Sequence, residues 1–190
     1  MKDATGMGSK RFWVIALVAG MVAATAACAC PPPGPLPDPI ISCRSLGGPI
    51  TYDPPAGNAG VDVTITIGAG AGLANCTDNT SNLIESASLG GTFVLPAFTC
   101  GVSPDGTEIG AGSGSIRWSN GAVSAYDATL RSPGSPNQFI LELRITSGLW
   151  KGATATVGLG VVSSVGNCVQ VPVTSAVLAS QGPFILHPAA

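Results

Sequence analysis

The residues of this chain best suited to chemistry are its six cysteines, and they fall into two groups. Cys28 and Cys30 sit at the end of an apolar run, Phe12 to Ala29, preceded by Lys2, Lys10 and Arg11. A basic start, an uncharged middle and small residues at the close are the layout of a secretory signal peptide. Thr25-Ala26-Ala27-Cys28 is arranged as a bacterial lipobox and Ala27-Cys28-Ala29-Cys30 as a second one, which makes Cys28 and Cys30 the lipidation candidates. Ala24-Thr25-Ala26 and Ala27-Cys28-Ala29 also satisfy the small-x-small rule for ordinary cleavage and release. The lipoprotein reading is preferred; an uncleaved anchor is the remaining alternative, because the run is just long enough to span a bilayer.

Cys43, Cys76, Cys100 and Cys168 form the second group, an even number in a chain that leaves the cytosol, and two disulfides are expected. Four cysteines allow three connectivities. Cys76 with Cys100, which flank one extended segment, and Cys43 with Cys168, which would tie the start of the domain to its last strands, are preferred. No Cys-x-x-Cys spacing and no Cys/His cluster points to zinc or to redox catalysis.

Other catalytic patterns are weak. His187, the single histidine, lies three residues from the C-terminus, a poor place for a nucleophile–histidine pair. No Gly-x-Ser-x-Gly occurs, and Gly68-Ala69-Gly70-Ala71-Gly72 and Gly110-Ala111-Gly112-Ser113-Gly114 miss the dinucleotide-binding spacing; both read as turning or flexible backbone. Asp105 with Glu108, and Asp127 with Glu142, are nominal carboxylate pairs for acid–base work or calcium, against an ordinary exposed role. The expectation is a protein that is not an enzyme, with no catalytic, cofactor-binding or metal residues and no cofactor.

The framework holding these residues follows from composition. Only 9% of the 190 residues are charged, while Gly (26) and Pro (16) are abundant and aromatics make 5%. That excludes a charged helical bundle and an acidic disordered chain. From residue 30 onward the five basic side chains are scattered among nine acidic ones, so no nucleic-acid partner is expected. The order expected is a signal helix over residues 1–29, a proline-rich linker over 30–42 containing Pro31 to Pro39, and one exported domain over 43–187.

Within that domain the apolar residues recur with period two. Val61, Val63, Ile65 and Ile67 alternate with polar neighbours, as do Phe139, Leu141, Leu143 and Ile145, and Ala153, Ala155, Val157, Leu159 and Val161. Looser runs cover 49–52, 83–95, 113–119, 122–131 and 173–186. Ser119-Asn120-Gly121 predicts a tight type I′ hairpin, and the Ser/Pro/Gly-rich stretches 103–106, 132–137 and 147–152 predict further turns. The fold expected is all-β, an antiparallel meander of about eight strands closed into a barrel or split into a β-sandwich. Trp118 reads as core. Trp150 either plugs one end of the β core, the preferred role, or stands exposed as a surface contact for carbohydrate, lipid or protein.

The order of these motifs resembles a family of small exported proteins of actinobacteria. The matching features are Cys43, the Thr-rich strand from Val61 to Cys76, Cys100, the segment Gly112-Ser113-Gly114-Ser115-Ile116-Arg117-Trp118-Ser119-Asn120-Gly121, the segment Ile145-Thr146-Ser147-Gly148-Leu149-Trp150-Lys151-Gly152-Ala153, and Cys168. In that family the position of Trp150 is more often Phe. The resemblance implies a disulfide-bearing, all-β exported domain, and no activity comes with it. The function expected is a non-catalytic module, structural or binding, secreted or attached to the outer face of the cytoplasmic membrane by an N-terminal lipid, with its protein, carbohydrate or lipid ligand open. A small-molecule or lipid carrier with a cavity inside the barrel is the alternative.

Overall fold

The computed structural model of the protein describes residues 38–101 and 103–189. The signal segment, Cys28, Cys30 and the linker up to Pro37 lie outside the described residues. Ten strands follow in chain order: β1 (Ile41–Ala56), β2 (Val61–Ile67), β3 (Gly72–Asp78), β4 (Ala87–Phe98), β5 (Glu108–Trp118), β6 (Val123–Arg131), β7 (Gln138–Gly148), β8 (Thr154–Val165), β9 (Val173–Ser180) and β10 (Phe184–His187). Every pairing is antiparallel, and β9 returns to β1, so the sheet closes on itself as a barrel rather than a sandwich.

Ten strands make eight staves. The first part of β1 lies between β3 and β10, and its second part lies between β2 and β9. β2 and β3 are therefore one stave interrupted at Gly68–Ala71, and β9 and β10 are one stave interrupted at Gln181–Pro183. With those joined, each stave neighbours the next in sequence. Pairing followed around the ring from Tyr52 through Ile65, Phe93, Gly112, Ala128, Leu143, Ala155 and Leu186 arrives back on β1 at Ile41, far along the strand from Tyr52. Such a stagger requires strongly tilted strands.

The lumen is apolar and the outer wall polar. On β7 and β8 the buried Leu141, Leu143, Val157 and Leu159 alternate with Glu142, Arg144, Thr154 and Thr156, the polarity of a barrel bathed in water outside. Among the described residues no helix is long and apolar enough to cross a membrane.

The structure corrects three expectations. Gly110–Gly114 is not a turn but the middle of β5. A Cβ on Gly114 would come within 2.6 Å of the Tyr126 hydroxyl, and one on Gly112 within 2.8 Å of the Phe93 ring, so these glycines are notches that admit two lumen aromatics. The Asn-Gly hairpin joins β5 to β6, but only Gly121 takes a positive φ (88°). Its N–H donates to the Trp118 carbonyl while Trp118 N–H donates to Ala122, the pattern of a tight turn followed by a left-handed glycine rather than type I′.

The disulfides, finally, are Cys43–Cys76 and Cys100–Cys168. Stave direction explains why the expected pairs do not form. The full length of β4 separates Cys76 from Cys100, and the staves that hold or flank Cys43 and Cys168 place these at opposite ends of the barrel.

Candidate functional site

Strand direction sorts every loop that joins two staves to one of two ends. One end gathers the start of β1, the segment 79–86, the turns 119–122 and 149–153, and the end of β10. Ten of the twelve largest fully buried side chains lie in this half, among them Trp118, Ile84, Ile116, Phe184 and Ile41. Trp118 and Trp150 meet edge to face with ring centroids 4.9 Å apart, a favoured aromatic geometry. The Trp118 indole N–H donates to Ser124 Oγ (2.9 Å), and this fully buried hydroxyl donates to the Leu149 carbonyl (2.7 Å) beside Trp150. Trp150 holds a positive φ (61°), costly for a bulky residue and kept only because its surroundings fix it. It is partly buried and packed on the core, which places it in the plug of this sealed end.

The other end is open. Loops 99–101, 103–107, 132–137 and 166–169 stand around a cup of about 670 Å³, floored by Tyr52, Ala56, Phe139, Val161, Val173 and Ala176 and walled by residues including Phe98, Thr99, Glu108, Ser135, Asn137 and Gln138. That volume falls in the range of sites that hold small organic molecules, and barrel mouths are a recurrent place for them. Beneath the floor, the lumen retains only about 60 Å³, lined by apolar side chains and Tyr126. Phe139 lines both spaces and is the partition between them.

Three features stiffen the mouth. Cys100–Cys168 joins the β4–β5 loop to the β8–β9 loop, and both cysteines line the cup. Buried Ser132 donates to the Ser103 carbonyl (2.7 Å) and accepts from Gly134 N–H (3.1 Å), linking two walls. Asn167 Oδ1 accepts from the N–H groups of Gln170 and Val171, folding the β8–β9 loop on itself. Ala97, Asn137 and Cys168 all line the cup with positive φ (47°, 58° and 67°), as Asn75, Leu83 and Trp150 take positive φ at the sealed end, so both ends hold strained backbone.

The electrostatics of the cup are spare. Among the described lining residues Glu108 is the single charged side chain, and it is exposed. Burial pushes the Tyr52 phenol up to about 12, so it remains a hydrogen-bond donor across ordinary pH.

Of the candidates for catalysis singled out from sequence, the fold sets Asp127 and Glu142 together, with Arg144, along one groove of the outer wall and joins none of the others to them. His187 is on β10 at the sealed end, its Nδ1 buried without a hydrogen-bond partner. Glu108 lines the cup while Asp105 lies on the preceding turn. Asp127 pairs in register with Arg144, and Glu142 accepts from Arg131 Nε (2.9 Å), so each member of that carboxylate pair faces an arginine. No cluster of three or more His, Cys, Asp or Glu able to hold a metal occurs among the described residues.

Tyr52 and Phe98 escaped sequence reasoning as site residues, since each looks like an ordinary strand position. The usable signal was the concentration of Ser, Asn, Gly and Pro in the loops of one end. The two disulfides fit an oxidising compartment. No protein-family model matches the chain, and no curated protein and no solved structure matches it.

Proposed function

We propose that this protein is an exported, non-catalytic binding module, secreted or held at the membrane by an N-terminal lipid: a β-barrel sealed at one end that offers a cup for a small ligand at the other. The observation that carries this reading is the asymmetry of the ends. The described chain enters the barrel at Ile41, on the sealed side and away from the mouth. The lining favours binding over catalysis, because a lone exposed Glu108 offers no base–nucleophile or acid–base pair. Membership of the actinobacterial exported family is part of the proposal and rests on the motif order alone.

A lipid carrier that takes its cargo into the lumen is the weaker reading. Leu141, Leu143, Val157 and Leu159 fill that space, and the 60 Å³ left would hold a few methylenes at most.

Recovery from the native host tests the proposal. The protein should be found in the medium or membrane fraction, with all four domain cysteines inaccessible to alkylation until reduced, and native mass spectrometry should show a one-to-one small-molecule adduct. Replacing Thr107, an exposed cup residue, by Trp should remove that adduct. Reduced protein in the cytosol would overturn export, and an adduct indifferent to Thr107→Trp would overturn the cup.

A further inference from the structure

We infer that the cup selects a neutral molecule that pairs an aromatic or otherwise flat apolar face with a carbonyl-type acceptor, the acceptor being held by the Tyr52 hydroxyl. The inference rests on the cup being the binding site and adds the chemistry of its occupant.

Tyr52 is the starting point. It is nine-tenths buried on the inner face of β1, it lines the floor of the cup, and among the described residues nothing hydrogen-bonds its hydroxyl. Tyr126, the other lumen tyrosine, differs: its hydroxyl turns to the Gly90 carbonyl at 3.4 Å. The phenol has no partner among the described residues, and polar groups of largely buried side chains are commonly given one. The Tyr52 oxygen is not among the sealed-off buried atoms that lack a partner, and the space it borders is the cup. A ligand oxygen seated on the floor would complete it, with the phenol as donor.

The rest of the lining narrows the class. Phe98 and Phe139 give the lining aromatic surface, and Val161, Val173 and Ala176 add aliphatic surface. Such a wall suits a flat apolar body. No lysine or arginine lines the described part of the cup, so an anion would lose its hydration without a counter-charge. Glu108 at the exposed rim adds to that penalty.

Prodan, a neutral naphthyl ketone whose emission moves to longer wavelength when its carbonyl accepts a hydrogen bond, is the probe; the anion anilinonaphthalene sulfonate is its counterpart. The disulfide-intact barrel should bind Prodan saturably at one site, and the sulfonate at least about 10-fold more weakly. Tyr52→Phe, which keeps the ring and hence the packing, should weaken Prodan about 5-fold and move the emission of the bound dye to the blue. Thr107→Trp should abolish binding. If Tyr52→Phe binds Prodan with unchanged affinity and emission while Thr107→Trp blocks it, the assignment of the acceptor to Tyr52 is wrong and the cup stands. Equal affinity for the sulfonate overturns the neutral class. Prodan binding untouched by Thr107→Trp, or no saturable binding, overturns both this inference and the cup.

Discussion

The two ends of the barrel grow from the same ladder of antiparallel staves and are finished in opposite ways. At the sealed end large side chains turn inward and are cross-braced: Trp118 on Trp150, Trp118 on Ser124, Ser124 on Leu149, with Ile84 delivered from the 79–86 segment. At the mouth the floor is made of smaller residues and single rings, and order comes from loop hydrogen bonds and a disulfide instead of mass. Apolar exposure does not follow the same division: Val162, Val165, Val169, Val171 and Val177 are exposed in the β8–β9 region, but Leu83, the most exposed at 84%, and Val123 are at the sealed end. The lesson is that stability is concentrated where the chain enters and access where it is free to face outward. A closed barrel allows this separation because its ladder carries the two ends at once.

The sharpest way to break the comparison is to truncate one residue at each end. Trp118→Ala removes a fully buried indole and the donor to Ser124, and should cost about 3–5 kcal/mol of unfolding free energy by urea titration. Val169→Ser, at a position 79% exposed on the mouth, should stay within about 0.5 kcal/mol. Comparable losses at the two sites would mean that the mouth is as structural as the plug.

The disulfides give the next test. Cys43–Cys76 spans a sequence separation of 33 and joins residues already opposite each other in the β1–β3 ladder. Cys100–Cys168 spans 68 and joins two loops across the mouth. Chain entropy alone makes either bond contribute about 2–4 kcal/mol, the longer loop more by under about 1 kcal/mol. What separates them is location. Cys100→Ser with Cys168→Ser should raise amide exchange in the loops 99–107 and 166–172 and weaken binding in the cup, while Cys43→Ser with Cys76→Ser should leave both as they were. Mouth loops equally protected in the two variants would show that the disulfide is not what shapes the cup.

How much of this was legible depended on whether the signal was local. The alternation in 61–67, 139–146 and 153–161 marked β2, β7 and β8 because one face of each meets the lumen. β3 was not legible: Gly72-Leu73-Ala74-Asn75-Cys76-Thr77-Asp78 lacks alternation, and Asn75, at φ 52°, breaks the pleat. The glycines of β5 looked like a turn because their purpose, room for Phe93 and Tyr126, is set by strands far away in sequence. Disulfide pairing needed no contact information, only direction: cysteines separated by one stave must sit at opposite ends. The cup was hidden because its lining comes from three loops and several strand ends scattered between Tyr52 and Ala176, and no short motif could gather them.

The smallest expected effect concerns Asp78, the latch of the sealed end. Its Oδ1 accepts from Thr80 N–H (2.8 Å) and from the Thr80 hydroxyl, and its Oδ2 accepts from Ile84 N–H (3.2 Å), which sets Ile84 into the core. Burial pulls the carboxyl pKa upward, but the bonds from Thr80, Ile84 and Leu83 outweigh it and hold the group below its ordinary value. A carboxylate held low in the fold adds stability that is fully present above the unfolded value, about 3.9, and is lost as pH falls through the lower folded one. Acidification should therefore loosen the 79–84 amides, read by hydrogen exchange, before any change at the mouth. Asp78→Asn should show that loosening at every pH. If the 79–84 amides of the parent protein stay protected below the ordinary carboxylate range while the mouth loops open, acid sensitivity belongs to the cup and the sealed end owes nothing to this latch.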